Sequence, residues 1–245
     1  QSLQTAAQER LHMITDLRAA ILENQFHLHY QPMMDMATGH IRMAEALVRW
    51  DHPTRGIIMP RDFIPLAEET GLILQIGDWV FEEAARWASR WNELLPGGFQ
   101  VCVNTSPVQF RAESAASQIK WIEYLQSHNI PGECVVVEIT EGVLLNADEY
   151  SLKMLANLRS ANIQIAIDDF GTGYSSLAYL KRYPIDKLKI DRSFVTDLLV
   201  SPNDAAIACT VISRARSTSS RRSGHIPRVG SAPRKKFRQI DSSGA

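Results

Sequence analysis

Six polar side chains stand within or at the ends of strand-like runs. They are Glu45 in IRMAEALVRW, Asn104 in FQVCVNTS, Glu138 in CVVVEITE, Asp168 and Asp169 in IQIAIDDFG, and Lys189 in DKLKID. Any one of them has a plain explanation as a helix cap or a surface charge. Repetition on five successive runs points instead to a shared site. Four carboxylates would carry −4 if all were ionised, and their repulsion would raise some pKa values and oppose folding. Two divalent cations would neutralise them. An all-oxygen set with one amide favours the hard ions Mg²⁺ or Mn²⁺ over Zn²⁺. Two such ions roughly 3.5–4 Å apart clamp a phosphoryl group and acidify a bridging water into a nucleophile. The histidines offer no rival zinc site. His27 and His29 share one face of a strand, nothing near them in sequence completes a ligand set, and they read as structural or surface residues.

The elements that would position these groups alternate along the chain. Strand-like runs fall at 26–32, 41–50, 99–106, 134–141, 163–171 and 186–191. Helix-like segments lie at about 72–95, 108–128, 147–160, 174–182 and 192–199, and LHMITDLRAAILEN precedes the first strand. In 72–95, Ile73, Ile76, Val80, Ala84, Trp87 and Trp91 recur at helical spacing, so one face is apolar and the tryptophans read as core anchors. Pro107 stands where a helix can begin. Continuous Val/Ile runs mark strands covered on both faces, and their alternation with helices predicts parallel βαβ units. A doubly wound sheet and a (β/α)8 barrel both satisfy this pattern. No glycine-rich phosphate fingerprint follows the first strand, which weighs against a dinucleotide-binding sheet. In a parallel barrel the strand ends share one face, where active sites gather.

With 245 residues, 45% hydrophobic and 22% charged, the chain fits a globular protein with a full core and excludes a wholly disordered or fibrous one. The polar opening QSLQTAAQERLHM is no signal peptide and lacks an initiator Met, which predicts a piece of a longer protein. No apolar run approaches the roughly 18 residues of a membrane span. Cys102, Cys134 and Cys209 are far apart and odd in number, which predicts free thiols in a reducing compartment. The net charge of −1 conceals an asymmetry. Residues 213–245 hold nine Lys/Arg and one acid, or +8, so residues 1–212 carry −9. This serine-rich basic tail has no helical or strand period and is expected to be disordered. It lacks the interleaved aromatics of a nucleic-acid arm, so no specific nucleic acid is expected as a partner.

The segments AEALVRW, VNTSPVQF, VVVEITE, IAIDDFGTGYSSLAYL and PIDKLKIDRSFV, in that order, resemble the EAL-domain family of bacterial cyclic di-GMP phosphodiesterases over roughly residues 15–212. The resemblance implies an α/β fold, a TIM-like (β/α)8 barrel whose first strand runs antiparallel to the rest. It implies hydrolysis of cyclic di-GMP to linear pGpG with Mg²⁺ or Mn²⁺. Glu45, Asn104, Glu138, Asp168 and Asp169 look like the metal ligands, and Lys189 like the lysine that orients the attacking water, with Glu45 beside it in catalysis. Gln31, Leu47 and Arg49 look like substrate contacts, a role that suits the Arg49 guanidinium fork on a phosphate. Residues 169–176, with Phe170, Gly171, Thr172, Gly173 and Tyr174, resemble a loop that couples the metal site to dimerisation, and Glu141 resembles its anchoring acid. A homodimer is the implied assembly. TAAQERLHMITDLRAAI resembles a linker from a GGDEF domain, so a GGDEF or sensor domain is expected upstream of a linker helix at 1–16. The implied location is cytoplasmic, with any membrane anchor upstream, and the implied processes are motility and biofilm control.

The family pattern breaks after 212. The KxVAEGVE-like and QGY-like motifs of a seventh and an eighth strand do not occur, and the change at Ser213 is abrupt, as at a reading-frame change or an altered end. The expectation is therefore a domain over 17–212 lacking roughly its last two strands, followed by the tail. Such a barrel would leave edges open and lack a metal-site carboxylate. A catalytically impaired receptor that holds cyclic di-GMP without cleaving it is the alternative to an enzyme.

Overall fold

The computed structural model describes residues 3–95, 97–111, 115–171, 183, 185–191 and 196. Helix α1 (Leu3–Leu22) leads into the hairpin β1 (Phe26–Met34) and β2 (Ile41–His52), then the short β3 (Gly56–Ile58). Helices α2 (Pro60–Thr70) and α3 (Ile73–Leu94) precede β4 (Gln100–Asn104). Then follow α4 (Ala115–Ser127), β5 (Val135–Thr140), α5 (Glu141–Leu145), α6 (Glu149–Ser160), β6 (Gln164–Phe170) and β7 (Lys187–Ile190).

The strands lie in the order β1-β2-β4-β5-β6-β7, with β3 on β2. From β2 onward the neighbours along this path are parallel, whereas β1 runs antiparallel to β2. That is the arrangement the resemblance implied. The sheet is strongly curled. If it were flat, β2 and β7 would lie four strand spacings apart, about 19 Å. Yet Lys189 on β7 reaches Glu45 on β2 at 3.1 Å.

Strand alternation divides the side chains into two layers. Val101, Val103, Val135, Val137, Ile139, Ile165 and Ile167 point outward into the main core beneath the helices. Cys102, Val136 and Ala166 point inward and form a second apolar cluster with Met33 and Met43. Apolar cover on both faces explains the uninterrupted Val runs. On α3 the predicted stripe is buried at Ile73, Ile76, Val80 and Ala84. Trp87 and Trp91 pack against Tyr30 of β1 at tilted and edge-on angles, while Trp50 and Trp121 are fully buried.

Several elements differ from expectation. The helix predicted at 108–128 is divided. Pro107–Phe110 forms one 3-10 turn, closed by a capping box between Ser106 and Gln109, and α4 begins at Ala115. The box satisfies the first free N–H groups, and the extended backbone at Arg111 ends the turn. β3 and α5 were not foreseen, being three and five residues long and too short to show a period. Helix α1 runs unbroken through residue 16, with Leu17 and Ala20 fully buried. The helix expected at 174–182, all but residue 196 of the one expected at 192–199, the loop beyond Gly171, any last strands and the basic tail lie outside the described residues.

Gly132 begins the short turn before β5, and a Cβ there would strike the backbone carbonyl of Ala161 at the end of α6. Gly132→Ala is expected to cost about 1–3 kcal/mol in urea denaturation, the usual penalty of overpacking. Gly142→Ala meets nothing nearer than the Thr140 hydroxyl at 3.9 Å and should cost nothing.

Candidate metal centre

The inward-facing positions next along the strands from the Cys102, Val136 and Ala166 cluster are polar. Glu45, Asn104, Glu138, Asp168 and Lys189 come from five strands and meet at the end towards which the parallel strands run. Glu45, Glu138 and Asp168 each offer a carboxylate oxygen, and the three oxygens lie within 4.8 Å of one another. Lys189 Nζ sits among them, donating to Glu138 Oε2 at 2.7 Å, Asp168 Oδ2 at 3.0 Å and Glu45 Oε2 at 3.1 Å. Asn104 Nδ2 donates to Glu45 Oε1 at 2.7 Å, which leaves its carbonyl oxygen for another partner.

Local structure fixes this layer. Thr105 holds the Glu138 carbonyl through its backbone N–H at 3.0 Å and its hydroxyl at 2.6 Å, tying the ends of β4 and β5 together. Asp168 Oδ1 accepts the Asp169 N–H at 2.9 Å. Asp169 has a φ of +50°, in the left-handed region, and the register between β6 and β7 shifts between Ile167 and Phe170. This break stops β6 from presenting Asp168 and Asp169 as a regular pair. Asp169 is exposed and falls outside the three-carboxylate cluster.

The electrostatics are those of acids crowded out of water. Burial pushes the Glu138 carboxyl above its usual value, its hydrogen bond to Lys189 pulls it back, and Glu45 and Asp168 raise it further. Burial alone would lower the Lys189 ammonium, but its hydrogen bond to Glu138 and the charges of Glu138, Glu45 and Asp168 more than offset that and raise it. Burial, then Asp168 and Asp191, raise Asp169. Beneath them the Cys102 thiol is driven up by burial and by the charge of Glu138, so it stays neutral and unreactive.

The donor set fits a hard divalent cation. Every ligand atom on offer is oxygen, and among the described residues Glu138 Oε1 is buried with no hydrogen-bond partner. An orphaned buried carboxylate oxygen is costly unless a cation meets it.

The remaining predicted residues fall on the hairpin. Gln31 pairs in register with Glu45, Leu47 with His29, and Arg49 with His27, so all share the inward face. Gln31 is exposed, Leu47 and Arg49 half-buried, and Arg49 Nη1 donates to the Val48 carbonyl at 2.8 Å. A cavity of about 290 Å³ adjoins Leu47 and Asn104 between α2 and α3, lined also by Pro60, Ile64 and Ile76. A larger one, about 790 Å³, opens at the other end near Met33, Met43 and Gln100 and touches none of these acids. Glu141 is buried at the start of α5 and Phe170 at the end of β6, and Gly171 takes a φ of +108°. Thr172, Gly173 and Tyr174 lie outside the described residues. Two residues near the site escaped the sequence reading, Lys187 and Asp191. Lys187 shares the inward face of β7 with Lys189, and strand parity would have found it; Asp191 follows the strand and neighbours Asp169.

Among the described residues no helix is long and apolar enough to cross a membrane. The chain matches the family model for the EAL domain over residues 14–220. It is 40% identical over 215 residues to a bifunctional diguanylate cyclase/cyclic di-GMP phosphodiesterase, MucR of Pseudomonas aeruginosa, covering 88% of this chain and 31% of that protein. It is 38% identical over 208 residues to the cyclic di-GMP phosphodiesterase PdeR of Escherichia coli, covering 85% of this chain and 31% of that protein. The chain thus spans about a third of these relatives' length. Among solved structures it resembles the MucR phosphodiesterase in complex with c-di-GMP, with a TM-score of 0.77 and 40% identity over 85% of this chain and 83% of that one. These neighbours share the TIM-like barrel of this chain.

Glu138 yields a prediction for the metal-free protein. A carboxyl whose folded pKa exceeds its unfolded value supports folding below the unfolded value and loses that support as pH rises through the folded one. Glu138→Gln should therefore melt higher than the unsubstituted chain at pH 7 in chelator, and the gap should close near pH 4.

Proposed function

The chain belongs to the EAL domain family, and from that premise we propose that it binds cyclic di-GMP and hydrolyses it to linear pGpG. The observation that carries this reading is the convergence of three carboxylates on Lys189, with one buried Glu138 oxygen left without a partner among the described residues. Its support from relatives is that similar proteins are named cyclic di-GMP phosphodiesterases.

Glu45, Asn104, Glu138 and Asp168 would hold the cation, with Asp169 close by. Bound there, Mg²⁺ or Mn²⁺ supplies Lewis-acid polarisation of the phosphate and acidification of water. The chain's own residues do the rest. Arg49 lies on the same face and offers its guanidinium to a non-bridging phosphate oxygen, the geometry in which Arg binds phosphate best. Leu47 and the apolar cavity beside it receive a purine base, and Gln31 offers an amide at the rim. Lys189 would turn one of the three N–H groups it gives to Glu45, Glu138 and Asp168 onto the attacking water and orient it. Water adds to phosphorus, the P–O3′ bond breaks, and the released oxygen takes up a proton. Asn104 and Thr105 keep Glu45 and Glu138 in place throughout. Glu141, Phe170 and Gly171 would anchor the loop that links this site to a second copy of the chain. In the whole protein, a cytoplasmic location and an upstream GGDEF or sensor domain complete the reading.

Incubating the purified chain with cyclic di-GMP and Mg²⁺, then separating the nucleotides by chromatography, tests it. The expected product is pGpG, lost in chelator. Lys189→Met should lower kcat by about 10²-fold or more, as loss of a proton-handling group does, while Arg49→Met should act mainly on KM. Binding of nucleotide without product would instead assign the receptor role, and no binding would overturn the proposal.

A further inference from the structure

Lys187 shares the inward face of β7 with Lys189, one step below it. Its Nζ donates to Gln100 Oε1 on β4 and to Gln164 Oε1 on β6, the latter at 2.7 Å. Gln100 in turn donates its Nε2 to the Glu133 carbonyl at 2.7 Å. Both amides present oxygen rather than nitrogen to Lys187, the orientation an ammonium requires. No carboxylate among the described residues lies within ion-pair distance of it. A half-buried cation held only by neutral amides is an expensive arrangement, so its charge calls for an explanation beyond hydrogen bonding.

Beside Asp186, whose charge is paired with Arg159, the excess of opposite charge that Lys187 feels is the acid layer above. Two strand residues span about 7 Å, so Lys187 lies within electrostatic reach of Glu138 through the uncharged level of Cys102 and Val136. Glu45, Glu138, Asp168, Asp169 and its neighbour Asp191 total −5, and Lys187, Lys189 and Arg49 bring the described charges to −2. One divalent cation neutralises that remainder, and a second overshoots to +2. Without Lys187 the interior would be −3, and two cations would leave only +1.

Resting on the cation-binding reading proposed above, we infer that Lys187 is a fixed counter-charge, a positioning residue that keeps the acid layer folded without metal and weakens occupancy by a second divalent ion. The site thus fills in two unequal steps. With water-like screening, one unit charge about 7 Å from a divalent ion changes its affinity by roughly tenfold.

Mn²⁺ titration of the metal-stripped chain by calorimetry, with no nucleotide present, reads this directly. The unsubstituted chain is expected to bind one ion tightly and a second at least tenfold more weakly. Lys187→Met should tighten the second step by about tenfold, and Lys187→Arg should restore the unsubstituted pattern. In chelator Lys187→Met should melt lower than the unsubstituted chain, and saturating Mn²⁺ should shrink or reverse that deficit. Two equal steps in both proteins, or a deficit in melting that Mn²⁺ leaves unchanged, would reduce Lys187 to a packing residue and overturn the inference. If no protein takes up Mn²⁺ at all, the cation reading fails as well, an outcome distinct from equal binding by all. Should Lys187→Met fail to fold, Lys187→Gln carries the same comparison with a side chain that still hydrogen-bonds.

Discussion

Three carboxylates held within 4.8 Å of one another and largely out of water are the constraint around which this fold is organised. Left alone they would repel and take up protons. Lys189 makes the arrangement tolerable by donating to all three at once. The balance remains uneven, because among the described residues one buried oxygen of Glu138 has no partner. The cluster is therefore stable enough to form and short of positive charge, the condition in which hard cations bind well. Its cost is met elsewhere, by the apolar layer between sheet and helices that contains Trp50, Phe63, Phe81 and Trp121.

Strand parity and sheet curvature convert that constraint into geometry. β2, β4, β5 and β6 each contribute an inward polar residue with an inward apolar residue one level below, and β7 contributes Lys189 above Lys187. The curl brings β7 back towards β2, and one lysine can then span acids from three strands. The antiparallel β1 completes the mouth with Gln31 level with Glu45, and β2 sets Leu47 and Arg49 further along the same face. Chemistry at one end and apolar filling beneath it is the division of labour expected of a parallel barrel.

Much of this was legible in the sequence because period-two patterning and strand-end acids survive without any structure. Glu45, Asn104, Glu138, Asp168 and Lys189 were each identified from their place in an apolar run, and the structure brings these five together. Asp169 follows Asp168 in sequence, yet its left-handed backbone and the local register shift set it outside the cluster, and neither is visible in a run of letters. Lys187 was passed over because attention to strand ends ignores the residue two positions earlier on the same face. The segment after Pro107 divides where the backbone turns extended at Arg111, a break that an otherwise helical pattern does not show. β3 and α5 are too short to carry a period. The order of strands along the sheet came from the family resemblance rather than from periodicity, since a doubly wound sheet shows the same alternation.

Diffraction from crystals of the chain soaked in Mn²⁺, recorded for the anomalous signal of manganese, tests the central claim most directly. The account predicts a strong anomalous peak in contact with Glu45, Glu138 and Asp168, with Glu138 Oε1 turned onto the ion. Manganese bound only elsewhere on the surface, with those three carboxylates still gathered around Lys189, would contradict it.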